Sequence, residues 1–161
     1  MEKVLWLMCG VPGSGKSYFV KHTLMPAENA LGWAYISRDE VRYSLVSEGE
    51  PYFSKEDEVF NTFIKRINEA LARSCFNNIV VDATHLNTAS RMKVLNRLNL
   101  DGIKVVAMDM NTPLEVCIER NNARSGRECV PESVIRKMYK SRTNPLNDPF
   151  EYEEVLEVFG E

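Results

Sequence analysis

No apolar run in this 161-residue sequence approaches the roughly 20 residues that a membrane-spanning helix needs, so no bilayer anchor is expected. No Cys-x-x-Cys pair occurs, and there are two histidines, His22 and His85. The scattered Cys9, Cys75, Cys117 and Cys129 therefore lack the spacing of a zinc site. Three of the four fall in predicted strands or helices, which predicts buried, reduced thiols and a cytoplasmic setting. Nor is there an excess of positive charge. At a net charge of −3 the surface as a whole will not attract nucleic acid, and any such binding needs a local patch. Internal repeats, low-complexity tracts and interdomain linkers are absent too. With 44% hydrophobic and 27% charged residues, the chain reads as one globular domain over residues 1–161. Met1-Glu2-Lys3 leads straight into an apolar strand pattern, which is not the layout of a removable signal.

What is present starts at residue 10. Gly10-Val11-Pro12-Gly13-Ser14-Gly15-Lys16-Ser17 satisfies G-x-x-x-x-G-K-[ST], a loop whose backbone N–H groups turn onto phosphate oxygens. A chance match in a chain this long arises on the order of one time in a hundred. Context narrows it further, because Val4-Leu5-Trp6-Leu7-Met8 reads as a buried strand entering the loop. Tyr18, Phe19, Val20 and Leu24 beyond it suit a helix packed on that strand. Lys16 is expected to reach the β- and γ-phosphates of a nucleoside triphosphate, and the Ser17 hydroxyl to ligate Mg²⁺.

Strand patterns at 3–9, 33–37, 78–82, 103–109 and 154–159 alternate with helical patterns near 15–25, 38–47, 55–76, 89–99, 112–124 and 131–142. Such alternation predicts an α/β fold, a five-stranded parallel sheet with helices on both faces. Ligands then bind beyond the carboxyl ends of the strands. Val59, Phe60, Phe63, Ile64, Ile67 and Leu71 form one apolar stripe at helical spacing and are expected in the core.

Three segments at strand ends carry candidate chemistry. Ser37-Arg38-Asp39-Glu40-Val41-Arg42 opens a helix. Ser37 and Glu40 have capping-box spacing, and a helix dipole equally favours Asp39 in the first turn. Placed beside the phosphate loop, Asp39 can also act as general base toward an attacking hydroxyl, with Arg42 on the same helix face to hold an anionic group. Asp82, ending Ile79-Val80-Val81, is the preferred acid for the Mg²⁺ water shell over Asp109 at the end of the next strand. From Glu119 to Arg142, seven cations (Arg120, Arg124, Arg127, Arg136, Lys137, Lys140, Arg142) face three carboxylates. Arg120, Arg124 and Arg127, with the Ser125-Gly126 hinge, form either an arginine-rich lid over residues 120–130 or a solvated basic face.

The Asn-Lys-x-Asp base reader of guanine switches and the Leu-Ser-Gly-Gly-Gln signature of transporter ATPases do not occur. The ordered set of the glycine loop, Ile36-Ser37-Arg38-Asp39-Glu40-Val41-Arg42, Val81-Asp82-Ala83-Thr84-His85-Leu86-Asn87 and Glu119-Arg120-Asn121-Asn122-Ala123-Arg124 resembles the polynucleotide 5′-hydroxyl kinases of the bacteriophage type. Val130-Pro131 and Met138-Tyr139-Lys140 are similar to the segment following that family's lid, so the resemblance spans most of residues 3–142. It implies a P-loop kinase fold and transfer of the γ-phosphate of ATP, with Mg²⁺, to a 5′-OH end of DNA or RNA. It further implies that Gly10 through Ser17, Tyr18, Arg120 and Arg124 bind the donor, and that Ser17 and Asp82 serve the metal. Asp39 then activates the hydroxyl, Arg42 contacts the next phosphate, and Thr84 and Val130 touch the acceptor. Arg127 has no assigned counterpart. The Asp-x-Asp-Gly-Thr phosphatase motif of two-domain members is absent, so the kinase half of end repair is expected.

Two other functions fit the same residues. One is a kinase of a small-molecule or modified-base hydroxyl, since this loop serves many acceptors. Glu48 and Glu50 in the loop Glu48-Gly49-Glu50-Pro51-Tyr52-Phe53 would repel a polyanion there, whereas Tyr52 and Phe53 can stack on a base. The other is a nucleotide-binding adaptor with weak ATPase activity. A homo-oligomer is compatible with the sequence.

Overall fold

The computed structural model describes residues 2–25, 31–126 and 129–159. Strand β1 (Lys3–Cys9) runs into the glycine loop and then into α1 (Lys16–Phe19), which widens into a π-turn over Val20–Leu24. Strand β2 (Trp33–Ser37) passes directly into α2 (Arg38–Leu45), and α3 (Glu56–Ala72) returns the chain to β3 (Asn78–Asp82). There follow α4 (Thr88–Leu95), β4 (Ile103–Met110), α5 (Leu114–Asn122), α6 (Glu132–Lys140), a 3₁₀ turn at Pro145–Asn147 and β5 (Glu154–Val158). All five strands are parallel, in the order β2-β3-β1-β4-β5. This is the expected doubly covered sheet.

Its two faces follow from the two-residue period of a strand. Leu5, Leu7 and Cys9 of β1 join Ile79, Val81 and Val105 under α3 and α4. Met8, Val80, Val106 and Met108 pack with Val20 and Leu24 on the other face. The apolar stripe of α3 is buried as predicted, Val59, Phe63 and Ile67 completely. At about 1.5–3 kcal/mol for each such side chain, that stripe anchors the helix. Its end differs from the expected 76. Arg73 is extended (φ −83°, ψ 125°), because the chain must turn there to lay Asn77 and Asn78 against the Gly32 carbonyl and start β3. Cys75 is therefore exposed, as is Cys129. Cys9 and Cys117 are buried, so the expectation of three buried thiols is corrected to two among the described residues.

The register puts the site together. Asp82 lies level with Met8 of β1 and with Ser37 of β2, at the carboxyl edge of the sheet. Asp109, level with Cys9, lies across β1 from it.

Candidate active site

The phosphate loop is held by backbone geometry. Gly13 and Gly15 sit at φ +82° and +93°, where a β-carbon is strained, and a β-carbon on Gly13 would lie 2.3 Å from the Cys117 carbonyl oxygen. The Thr112 hydroxyl donates to the Ser14 carbonyl at 2.7 Å, and the Gly10 N–H donates to Thr84 O at 2.9 Å, so the segments that follow β4 and β3 both brace the loop. Beneath it, His85 adopts φ 40° and its Nδ1 lies 2.6 Å from Met8 O. Burial pushes the His85 pKa down to about 4, so the ring is neutral near pH 7 and donates through Nδ1–H. Lys16 Nζ donates to Gly10 O (2.8 Å) and Val11 O (3.2 Å). Burial lowers its pKa, while the charges of Asp82 and Asp39 oppose that shift.

The Ser17 hydroxyl donates to Asp82 Oδ2 at 2.9 Å, and the Tyr35 hydroxyl donates to the same oxygen. Burial first and Asp82 second raise the Tyr35 pKa, which keeps its proton in place as a donor. A hydroxyl and a carboxylate at the foot of a phosphate loop fit a hard, oxygen-seeking cation such as Mg²⁺. Among the described residues no group of three or more His, Cys, Asp or Glu could hold a metal alone, so donor phosphates and water would complete the shell. Asp109 is elsewhere. It lines a separate cavity of about 200 Å³ with Arg142 and Glu157, and burial raises its pKa. Of the two strand-end acids, Asp82 meets Ser17.

On the other side, the Ser37 hydroxyl caps α2 by accepting from the Glu40 N–H at 3.3 Å; among the described residues no return bond from the Glu40 carboxylate closes the box. Asp39 projects from the first turn with its side chain 66% exposed. Arg42 is 6% exposed and already paired. Its Nε and Nη2 fork onto Glu56 at 3.0 and 2.7 Å, and Nη1 donates to Asp39 Oδ1 at 2.7 Å. Burial alone would lower the Arg42 pKa, but the hydrogen bonds with Glu56 and Tyr52 outweigh it, and the net shift is upward. Its guanidinium lies 4.8 Å from the Tyr52 ring centroid and 5.2 Å from that of Phe53.

One cavity of about 810 Å³ is lined by Pro12, Gly13, Gly15, Lys16, Ser17 and Tyr18, by Asp39 and Arg42, by Asp82 and Thr84, and by Arg120, Arg124 and Val130. Four separate sequence segments thus converge as the strand-end rule requires. Gly10, Val11 and Ser14 of the loop are buried and do not line that cavity, and Gly10 lines the smaller one beside Asp109. Arg120 Nη1 lies 3.5 Å from Gly13 O, and Asn121 holds the Val130 N–H at 2.9 Å, which ties the end of α5 to both. Arg127 lies outside the described residues. Sequence reasoning missed Glu56 and Tyr35. Glu56 heads an acidic first turn, where three carboxylates suit the helix dipole whatever else they do, and no spacing links position 56 to 42. Tyr35 alternates in β2 like any strand aromatic.

The family described as an AAA domain matches residues 5–145 of this chain. Over 164 aligned residues the chain is 28% identical to a protein of Autographa californica nuclear polyhedrosis virus that carries the provisional name bifunctional polynucleotide kinase/RNA ligase, covering 94% of this chain and 22% of that one. It is 29% identical over 128 residues to an Acanthamoeba polyphaga mimivirus protein provisionally named bifunctional polynucleotide phosphatase/kinase, covering 76% and 24%. The chain therefore spans about a quarter of the length of these relatives. A chain in the structure of the Pnkp1/Rnl/Hen1 RNA repair complex superposes with a TM-score of 0.69 at 19% identity, covering 87% of this chain and 44% of that one, which speaks to the fold. With a parallel sheet of the order β2-β3-β1-β4-β5, a phosphate loop after β1 and a match over nearly its whole length, this chain belongs to the AAA-domain family and has the fold of a P-loop kinase.

Proposed function

We propose that this chain transfers the γ-phosphate of ATP to the 5′-hydroxyl end of a DNA or RNA strand, with Asp39 as general base. The observation that carries the proposal is the shared cavity. Lys16, Ser17 and the exposed carboxylate of Asp39 line one and the same cavity. The names of the two viral relatives support a polynucleotide as acceptor.

In this reading the loop N–H groups and Lys16 hold the donor phosphates, and Arg120 and Arg124 add charge against the developing negative oxygens. Ser17 and Asp82 would hold Mg²⁺, which would supply positive charge against the donor phosphates. Asp39 orients the acceptor hydroxyl and takes its proton as the new O–P bond forms. The bond from the γ-phosphorus to the bridging oxygen breaks, and ADP leaves with that electron pair. Arg42 contacts the acceptor's next phosphate, and Thr84 and Val130 touch its terminal nucleotide.

The test is to incubate the protein with γ-labelled ATP, Mg²⁺ and a panel of 5′-OH oligonucleotides, nucleosides and hydroxymethylated-base DNA. Label on the oligonucleotides is expected, and none on any of them would refute the polynucleotide assignment. One observation favours a smaller acceptor: the Arg42 charge is already matched by Glu56 and Asp39, which leaves less attraction for a long polyanion. A strong fall in acceptor affinity with added salt separates the two readings in favour of the polynucleotide.

A further inference from the structure

Asp39 carries two donors on one oxygen. Arg42 Nη1 lies 2.7 Å from Oδ1 and the Tyr52 hydroxyl lies 3.0 Å from the same atom, while Oδ2 receives no hydrogen bond from the described residues. A general base needs a lone pair aimed at the proton it removes, so a carboxylate pinned through one oxygen presents the other. From this arrangement we infer that Tyr52 is a positioning residue, whose hydroxyl locks the Asp39 carboxylate so that Oδ2 faces the acceptor hydroxyl. This inference rests on the reading of Asp39 as the base.

The loop between α2 and α3 is built to hold that hydroxyl. The Tyr52 ring packs edge-on against Phe53 at 4.9 Å and tilts against Tyr43 at 6.0 Å, with the Arg42 guanidinium over its face. Arg42 Nη1 also reaches the Tyr52 oxygen at 3.4 Å, so arginine, phenol and carboxylate form a closed triangle. Burial, and then the charge of Asp39, raise the Tyr52 pKa. The phenol therefore keeps its proton and acts as a fixed donor rather than a proton carrier. Ring packing and hydroxyl can be separated by one substitution, because Phe retains the former and lacks the latter.

Steady-state transfer to the acceptor identified by labelling, ATP affinity and thermal unfolding are measured for Tyr52→Phe, Asp39→Asn and the double variant. Tyr52→Phe is expected to lower kcat about tenfold, with acceptor KM and ATP affinity within about twofold and the unfolding temperature unchanged. In the Asp39→Asn background the same substitution is expected to have no further effect, because its target is gone. An unchanged kcat in Tyr52→Phe, a loss confined to acceptor KM, or an equal loss in both backgrounds would overturn the inference. Full transfer by Asp39→Asn alone would instead overturn the assignment of Asp39 as base, whatever Tyr52 does.

Discussion

At the phosphate-loop end of the cavity the geometry is fixed by backbone: Gly13 and Gly15 in left-handed conformations, and carbonyl oxygens that tie the loop to Thr112, Lys16 and Arg120. At the Asp39 end it is fixed by side chains, with Asp39, Arg42, Glu56 and Tyr52 holding one another in a network around a carboxylate that is two-thirds exposed. In the proposed reaction the difference has a physical reason. Polyphosphate offers many equivalent oxygens to any donor, so a rigid cradle of N–H groups serves it. An acceptor hydroxyl must instead meet one lone pair at one angle, which a side-chain network can tune without moving the sheet.

Breaking the cradle should do the most damage. Lys16→Met removes the cation of the loop and is expected to lower transfer by about 10²–10³-fold and to weaken ATP binding as well. Persistence of transfer at near the parent rate would show that the cradle does not hold the donor. Gly13→Ala tests the backbone itself. Its β-carbon would press on the Cys117 carbonyl in a strained conformation, at a cost of about 3 kcal/mol by denaturant unfolding. Gly49, in the loop before Tyr52, has no atom within 4 Å of such a carbon, and Gly49→Ala should be nearly neutral. Equal costs at the two glycines would erase the contrast.

A third experiment uses pH. His85 has its pKa lowered by burial from 6.5 to about 4, so between those values the unfolded chain binds a proton that the folded chain does not. Its stabilising contribution is full above pH 6.5 and is lost as pH falls toward 4, at most about 3 kcal/mol. The unfolding free energy of the parent should therefore fall more steeply from pH 7 to pH 4 than that of His85→Asn. Parallel curves would mean that the histidine under the loop bears no such load.

Much of this was legible in the residues because it depends on local order. The apolar stripe of α3, the strand entering Gly10, and the Asp39 and Asp82 segments at strand ends all follow from period and position along the chain. What was not legible depends on contacts between distant residues. That Asp82, already preferred from the sequence, meets Ser17 while Asp109 does not follows from the strand order, which sets the two acids on opposite sides of β1. Glu56 filling the Arg42 fork needed the α2–α3 packing, because a separation of fourteen positions along the chain imposes no contact between them. Likewise Tyr35 reaches Asp82 only because β2 lies beside β3 in register.

The two ends of the cavity are separable if the account holds, and Asp39→Ala is the substitution that separates them. ATP affinity and phosphoryl transfer to a 5′-OH oligonucleotide should be measured side by side on this variant and its parent. ATP affinity is expected to stay within about threefold while transfer falls by about 10²–10⁴-fold. Transfer at the parent rate, or a loss of ATP binding as large as the loss of transfer, would contradict it.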